Sequence, residues 1–248
     1  MIAGKRVAVV VPAHQEEERV GATVSRAPAF VDHVIVVDDA STDGTSEAAR
    51  ATEDPRVVVV RHPRNRGVGA AIATGYRAAR DRGADLVAVM AGDGQMDPDD
   101  LPALLGPLVD GRADYVKGNR LRHPRAADMP LARRAGSAML GRATAWAIGV
   151  PLGDSQCGYT AITGDMLDAL DLERLFPRYG YPNDLLSMVA CAGGRIAEVP
   201  VRPVYAGERS GLRPWHVTVM LGLIARARAR RALGRPREAA RVVAPAAE

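Results

Sequence analysis

Two segments rich in acidic residues follow short runs of β-branched residues, where the strands of a parallel sheet would end. The first, 38–44, contains Asp39 and Asp43. Carboxylates placed there can accept hydrogen bonds from a base N–H or from a ribose hydroxyl. The second segment contains Asp93, whose carboxylate can bind Mg²⁺ or Mn²⁺ that bridges a diphosphate. Together, these segments predict a site for a nucleotide diphosphate.

Two further strand ends carry the small and polar residues that such a ligand needs. Pro12, His14 and Glu16 follow the first β-branched run. Gly67 and Gly69 follow the third, and glycine allows a backbone to approach a phosphate closely. Each segment alone also has a purely structural explanation, since aspartate and serine cap helices and glycine serves turns and close packing. Their succession in strand order favours the nucleotide site.

The elements that would position these residues follow from the alternation of β-branched runs with helix-period segments, which predicts a mainly parallel α/β sheet. Strands are predicted at Val7–Val11, Val34–Val37, Val57–Val60, Leu86–Met90, Tyr115–Lys117 and Arg195–Val199. Helices are predicted at Glu16–Ala27, Thr45–Ala51, Gly69–Arg82, Pro98–Val109, Ala132–Ile148, Asp165–Leu170 and Asp184–Ala192. Ligands of open parallel sheets bind outside the carboxyl ends of the strands, so the polar segments would converge on one edge.

Composition excludes several classes of protein. With 47% hydrophobic and 25% charged residues, the 248-residue chain is typical of an ordinary globular domain. The net charge of +4 derives largely from arginines near the C-terminus, and no nucleic-acid-binding motif accompanies it, so no nucleic-acid partner is expected. Two cysteines without metal or redox spacing indicate a reducing compartment. No secretory signal or transmembrane stretch is recognised, which predicts a cytoplasmic location.

The C-terminal region differs from the rest of the chain. We expect a catalytic domain over 1–214, an amphipathic helix over 215–233 and a disordered tail over 234–248. The apolar residues Met220, Leu221 and Ile224 recur at helical spacing and precede several arginines. Such a helix could lie on the inner face of a membrane as a peripheral anchor, or it could dock on the protein body.

Eight motifs in order give the chain a specific resemblance to a known family. They are VVVPAHQEE, VVDDASTDGT, NRGVGAAIATG, VMAGDGQMDP, GNR, DSQCGYTAI, YGYPNDLL and EVPVRPVYAGERSG. In this series the chain resembles glycosyltransferase family 2, in particular the branch of dolichyl-phosphate mannose synthase and the polyprenyl-phosphate sugar synthases. The resemblance extends over roughly Val7 to Arg213.

The resemblance implies a GT-A fold, which is Rossmann-like with helices on both faces of the sheet, and a nucleotide-sugar donor. By similarity, the residues near the donor would be Pro12, His14, Glu16, Asp39, Asp43, Gly67, Gly69 and Gln95. Asp93 would bind the Mg²⁺ or Mn²⁺ cofactor. The first carboxylate of the family's DxD motif is replaced here by Ala91, so Asp93 alone remains of that pair.

The later motifs resemble the family's acceptor and catalytic elements. Asp154 and Asp184 are the candidates for a general base, which a hydroxyl acceptor would require. The phosphate-binding candidates are Arg120, Arg209, Ser210 and Arg213, because guanidinium groups bind phosphate in a bidentate manner. A lipid phosphate acceptor is already anionic near neutral pH and would need no strong base.

These observations predict an inverting glycosyltransferase that moves a hexose from a UDP- or GDP-sugar to polyprenyl phosphate. The same enzyme class acting on a soluble small-molecule acceptor is the first alternative. A non-catalytic nucleotide-sugar-binding module is the second, because of Ala91. A nucleotidyltransferase is less favoured, because no glycine-rich phosphate loop follows the first strand.

Overall fold

The structure, a computed structural model, describes residues 1–204 and 214–233, with only the backbone described for 214–217. The strands are β1 Val7–Ala13, β2 His33–Asp38, β3 Val57–Arg61, β4 Leu86–Val89, β5 Tyr115–Asn119, β6 Thr160–Thr163 and β7 Ile196–Pro200. The helices are α1 Glu17–Ser25, α2 Thr45–Arg50, α3 Val68–Arg80, α4 Leu101–Val109, α5 Leu131–Ile148, α6 Gly164–Asp168, α7 Tyr181–Cys191 and α8 Pro214–Leu233.

The strands form one sheet in the order β3-β2-β1-β4-β6-β5-β7. Parallel pairing joins β3 to β2, β2 to β1, β1 to β4 and β5 to β7. Among the strands of the described residues, only β6 runs antiparallel to its neighbours, β4 and β5. The predicted mainly parallel α/β fold is therefore confirmed.

Helices cover both faces of the sheet because successive side chains of each strand point to opposite faces. In β1, Val7, Val9 and Val11 pack with α1 and α4 on one face. Ala8 and Val10 pack with α3 and α7 on the other. Every residue of β1 is buried. Burial on both faces explains its unbroken apolar sequence.

The sequence missed one strand and misplaced one helix start. Strand β6 has the sequence TAIT, which is β-branched at three of its four positions but is too short for its pattern to stand out in the sequence. Helix α7 begins at Tyr181, three residues before the predicted start, because Gly180 ends the preceding loop in a left-handed conformation. Asp184 consequently lies inside the first turn of the helix.

Helix α8 packs against α5 and α7. Its apolar residues Met220, Leu223, Ile224 and Ala227 are buried against the body, so the docked alternative is the one observed. The predicted tail over 234–248 lies outside the described residues. Within the part of the chain that the structure describes, no helix is long and apolar enough to cross a membrane.

Candidate active site

The ends of β1, β2 and β4 meet at the carboxyl edge of the sheet, as the sequence predicted for parallel strands. The backbone N–H of Asp39 donates to the carbonyl of Ala13 at 2.9 Å. The N–H of Gly92 donates to the carbonyl of Pro12 at 3.2 Å. The segments after these three strands therefore lie side by side.

Asp39 is buried and holds the glycine segment in place. Its carboxylate accepts hydrogen bonds from the backbone N–H of Arg66 at 2.8 Å and of Gly67 at 2.6 Å. A third bond joins it to Nδ1 of His62 at 2.7 Å. Burial alone would raise the pKa of Asp39, but these hydrogen bonds outweigh burial and lower it. The carboxylate keeps lone pairs for a further donor, since two oxygens accept about four bonds.

Gly67 and Gly69 pack against the backbone of the 176–178 segment. Gly67 has a φ of +94°, which favours glycine. A Cβ on Gly69 would lie 2.1 Å from the carbonyl oxygen of Phe176. The N–H of Ala70 donates to the carbonyl of Pro177 at 3.1 Å. Close backbone packing therefore accounts for both glycines in the structure as it stands.

The loop after β1 is tied to the loop after β2. The N–H of Glu16 donates to the hydroxyl of Thr45 at 2.9 Å, and the N–H of Glu17 donates to Asp43 at 3.2 Å. Asp43 also accepts from the hydroxyl of Thr45. Burial raises and these hydrogen bonds lower the pKa of Asp43, with a net lowering. His14 is exposed beside this pair of loops.

Asp93 and Gln95 form a tight turn after β4. The N–H of Gln95 donates to Oδ1 of Asp93 at 3.0 Å, and Gly94 between them has a φ of +73°. The charge of Asp93 acts on Tyr181, whose pKa is raised well above its ordinary value, first by burial. A Cβ on Gly158 would lie 3.0 Å from Met96 and 3.4 Å from Tyr181, so the segment after β4 approaches the start of α7.

The surroundings of Asp93 fit a divalent cation that enters the site together with a diphosphate. No group of three or more His, Cys, Asp or Glu residues that could hold a metal occurs in the described ranges. Magnesium, however, is usually bound through one or two carboxylates plus substrate phosphates and waters. A single carboxylate such as Asp93 is therefore compatible with a cation whose other ligands come from a diphosphate and water.

Asp154 is buried and forms an ion pair with Arg120. Oδ2 lies 2.8 Å from Nε of Arg120, and Oδ1 lies 3.1 Å from Nη2. Burial would raise the pKa of Asp154, but the hydrogen bonds and charge of Arg120 hold it below its ordinary value. A carboxylate held in this way is a weak base, and its clear effect is to fix the guanidinium of Arg120.

A buried polar network supports this ion pair, and the sequence reasoning missed it. Glu198 on β7 accepts hydrogen bonds from the N–H of Gly153 and Asp154 and from the amide of Asn119. Lys117 on β5 is fully buried and donates to the carbonyl of Cys157. Burial lowers the pKa of Lys117. A lysine and a glutamate within predicted strands read as solvent-facing residues, so no sequence signal marked them.

Tyr179 and Arg133 also belong to this region and were not predicted. Burial raises the pKa of Tyr179, while the positive charges of Arg120 and Arg133 act in the opposite direction. Asp154 contributes to the same local field. Two arginines from separate elements therefore act on one position beside the end of β5.

Asp184 is connected to the glycine segment through Phe176. Its carboxylate accepts from the N–H of Phe176 at 2.8 Å and from Nη1 of Arg230 at 2.6 Å. Arg226 lies 3.6 Å away as a second cation. Because Phe176 contacts Gly69, Asp184 links α8 to the predicted donor loop. Arg209, Ser210 and Arg213 lie outside the described residues.

Comparison with known proteins places these features in a wider context. Residues 8–131 match the family model described as Glycosyl transferase family 2. The undecaprenyl-phosphate mannosyltransferase of Micrococcus luteus is 36% identical over 203 residues, covering 79% of this chain and 82% of that protein. The UDP-N-acetylglucosamine–dolichyl-phosphate N-acetylglucosaminyltransferase of Methanococcus voltae is 29% identical over 220 residues, covering 82% and 88%.

A solved structure shares the fold over nearly the whole chain. It is glucosyl-3-phosphoglycerate synthase from Mycobacterium tuberculosis in complex with Mn²⁺, UDP-glucose and phosphoglyceric acid. The TM-score is 0.63 with 25% sequence identity, and the match covers 95% of this chain and 82% of that chain.

Proposed function

This chain belongs to glycosyl transferase family 2, and we propose that it transfers a hexose from a UDP- or GDP-sugar to the phosphate of a polyprenyl phosphate, with inversion. One observation carries the choice of acceptor: Asp154 and Asp184, the predicted general bases, both accept hydrogen bonds from arginine. Arg120 holds the pKa of Asp154 below its ordinary value, so Asp154 is a weak base, and the carboxylate of Asp184 is committed to hydrogen bonds with Phe176 and Arg230. A phosphate acceptor is already ionised and needs no base, whereas a hydroxyl acceptor does.

The proposed donor site is the carboxyl edge formed by β1, β2 and β4. Asp39 and Asp43 would accept from the base and ribose, next to Pro12, His14 and Glu16. Gly67 and Gly69 would shape the adjoining backbone, and Gln95 would lie beside the diphosphate. Asp39 is already fixed by three hydrogen bonds. It would therefore meet the donor without reorganisation of the loop.

Asp93 is the proposed protein ligand of Mg²⁺ or Mn²⁺. When bound, the cation would neutralise negative charge on the diphosphate leaving group. The turn that holds Asp93 is fixed by the N–H of Gln95. The protein would thus present one oriented carboxylate, and the remaining ligands would come from the donor and water.

The proposed acceptor site surrounds Arg120. Arg120 and Arg133 would bind the acceptor phosphate, with Arg209, Ser210 and Arg213 as further phosphate contacts. Asp154 would orient Arg120 through its two hydrogen bonds. An acceptor phosphate oxygen would form a bond to the anomeric carbon while the bond from that carbon to the diphosphate breaks. The nucleoside diphosphate would leave with the bonding electron pair.

The comparisons support this proposal at the level of names and fold. Two relatives are named for transfer to undecaprenyl or dolichyl phosphate. A soluble acceptor remains the second candidate, since the structurally similar synthase was solved with phosphoglyceric acid. The two candidates share the donor site and differ in the acceptor.

Transfer assays with labelled donors test the proposal. Purified protein would be supplied with UDP-glucose, UDP-N-acetylglucosamine or GDP-mannose, each with undecaprenyl phosphate, undecaprenol or phosphoglyceric acid. We expect label to enter the organic phase with undecaprenyl phosphate and not with undecaprenol, its matched control. Equal transfer to undecaprenol would overturn the phosphate requirement. Transfer to phosphoglyceric acid alone would establish the soluble acceptor instead.

A further inference from the structure

The outward side of helix α5 is apolar, although it faces solvent. Leu131 is 80% exposed, Met139 is 64% exposed and Trp146 is 66% exposed. With Ala135 and Arg142 they are spaced four, four, three and four residues apart, which places them on one stripe of the helix. We call these five residues the α5 stripe. A surface helix of a globular protein normally carries polar residues on that side.

Helix α8 extends the same surface. Leu221 is exposed and lines a groove between α5 and α8 together with Trp146 and Ala225. The guanidinium of Arg228 lies 5.6 Å from the centroid of the Trp146 ring. Arg228 thus stacks on Trp146, and the pair presents an apolar surface with a charged group at its outer end. The surface therefore combines exposed apolar area with fixed positive charge.

The charge on these two helices has one sign. Neither 131–148 nor 214–233 contains an Asp or a Glu, whereas together they contain seven arginines. Of these arginines, Arg134, Arg142, Arg226, Arg228 and Arg231 are exposed. Asp128, just before α5, is already paired with Arg125. The surface is thus complementary to an anionic partner.

We propose that the α5 stripe, with Leu221 and Arg228 beside it, is a docking surface for an anionic phospholipid bilayer. Apolar side chains would enter the interface while the arginines attract lipid phosphates. A second copy of this chain fits less well, because a two-fold contact would set arginine against arginine without any acidic residue on either helix. The surface lies on α5 and not on the apolar side of α8, which is buried.

The position of α5 relative to the proposed acceptor site agrees with this assignment. Arg133, in the first turn of α5, acts with Arg120 on Tyr179. Arg133 lies two residues after Leu131 and therefore on the other side of α5 from the stripe, so a bilayer along the stripe would lie one helix diameter, about 10 Å, from the proposed acceptor site. The inference deepens the proposed function by giving a lipid acceptor a route to the site, but docking itself requires neither donor nor acceptor.

Co-sedimentation with vesicles tests the proposal without any transfer reaction. The full chain would be mixed with vesicles of phosphatidylcholine alone or of phosphatidylcholine with phosphatidylglycerol. We expect binding to the anionic vesicles that falls as salt is added. The double variant Leu131→Gln/Met139→Gln should partition about tenfold more weakly, because both side chains are exposed and no longer insert.

A charge variant and its matched control complete the test. Arg142→Gln should weaken partitioning about fivefold. Arg50→Gln removes the same charge from an exposed position on α2, on the opposite face of the sheet, and should leave binding unchanged. Equal losses in both variants would mean that only net charge matters and would overturn the docking surface. So would a dimer in analytical ultracentrifugation that Met139→Gln dissociates.

Failure of this inference is distinguishable from failure of the proposed function. Vesicle binding without sugar transfer to undecaprenyl phosphate would leave the docking surface standing and remove the acceptor assignment. Transfer in detergent by a protein that ignores anionic vesicles would do the reverse.

Discussion

The proposed donor half, β1 to β4 with their loops, and the proposed acceptor half, β5 to α8, hold the candidate site carboxylates in different ways. In the donor half, Asp39 and Asp43 accept mainly from backbone N–H groups and from neutral or weakly basic side chains of nearby loops. In the acceptor half, Asp154 and Asp184 are buried and paired with Arg120 and Arg230. Backbone donors fix loop shape, whereas arginine pairs join distant elements and bring positive charge to the site. These arrangements support the proposal that the first half recognises a neutral base and ribose and that the second holds phosphate.

The largest effect should come from breaking a buried ion pair of the acceptor half. Asp154→Asn leaves Arg120 without its countercharge, and we expect the free energy of unfolding to fall by about 3 kcal/mol. Transfer should fall as well, because Arg120 is no longer oriented. Urea denaturation and transfer assays measure the two effects.

Asp168→Asn is the matched control for this variant. The pair of Asp168 with Arg80 is much more exposed, at 56% and 29% of the two side chains. An exposed pair contributes less than about 1 kcal/mol. If both variants lost the same stability, burial of the Asp154 pair would not matter, and the contrast between the halves would fail.

The next largest effect is expected from a substitution at the contact between the two halves. Gly69→Ala sets a Cβ against the carbonyl of Phe176, so we expect a loss of about 1–3 kcal/mol in unfolding free energy and weaker donor binding. Gly106→Ala places the same methyl on α4, where nothing lies within 4 Å. That variant should gain roughly 0.5–1 kcal/mol from the better helix propensity of alanine. Thermal denaturation of the two proteins provides the comparison, and equal behaviour would contradict the close packing described.

A change at Asp93 should affect donor binding and leave the fold intact. With Mn²⁺ present, Asp93→Asn should bind its nucleotide sugar about tenfold more weakly, which corresponds to about 1.4 kcal/mol. Without Mn²⁺, wild type and variant should differ little. Calorimetric titration measures both, with the exposed Asp99→Asn as control. An identical loss with and without the cation would exclude Asp93 as a metal ligand.

Acidification should produce the smallest and most general effect. The pKa values of Asp39 and Asp154 are lower in the folded protein than the ordinary value of about 3.9. Their stabilisation is therefore complete above about pH 4 and is lost as pH falls through the lowered values. Urea midpoints between neutral pH and pH 3 should decline less steeply below pH 4 in Asp39→Asn and in Asp154→Asn. Unchanged slopes would show that neither carboxylate contributes to acid unfolding.

The donor half could largely be predicted from the sequence. Its strands are β-branched runs such as Val57–Val60, and its polar residues come directly after them. Parallel topology then brings Asp39 and Asp93 to one edge without any knowledge of long-range contacts. The local sequence pattern and the rule that ligands bind at the carboxyl ends of parallel strands were therefore sufficient to predict this half.

The acceptor half could not be predicted to the same extent, because its organisation depends on tertiary pairing. Asp154 pairs with Arg120, which is 34 residues away along the chain, and Asp184 pairs with Arg230, which is 46 residues away. Spacing along the chain does not reveal such partners. Lys117 and Glu198 are buried although their type predicts exposure, and only the folded arrangement of β5 and β7 explains this.

The pairing of Asp184 with Arg230 has a consequence for biosynthesis. The donor half is complete in the nascent chain well before α8 is made, since domains fold as they emerge from the ribosome. Until Arg230 leaves the exit tunnel, Asp184 has no countercharge from α8 and the inner side of α5 and α7 stays uncovered. Translation of α8 is thus the step that buries this surface, which in a chain stalled before it would stay exposed and favour aggregation.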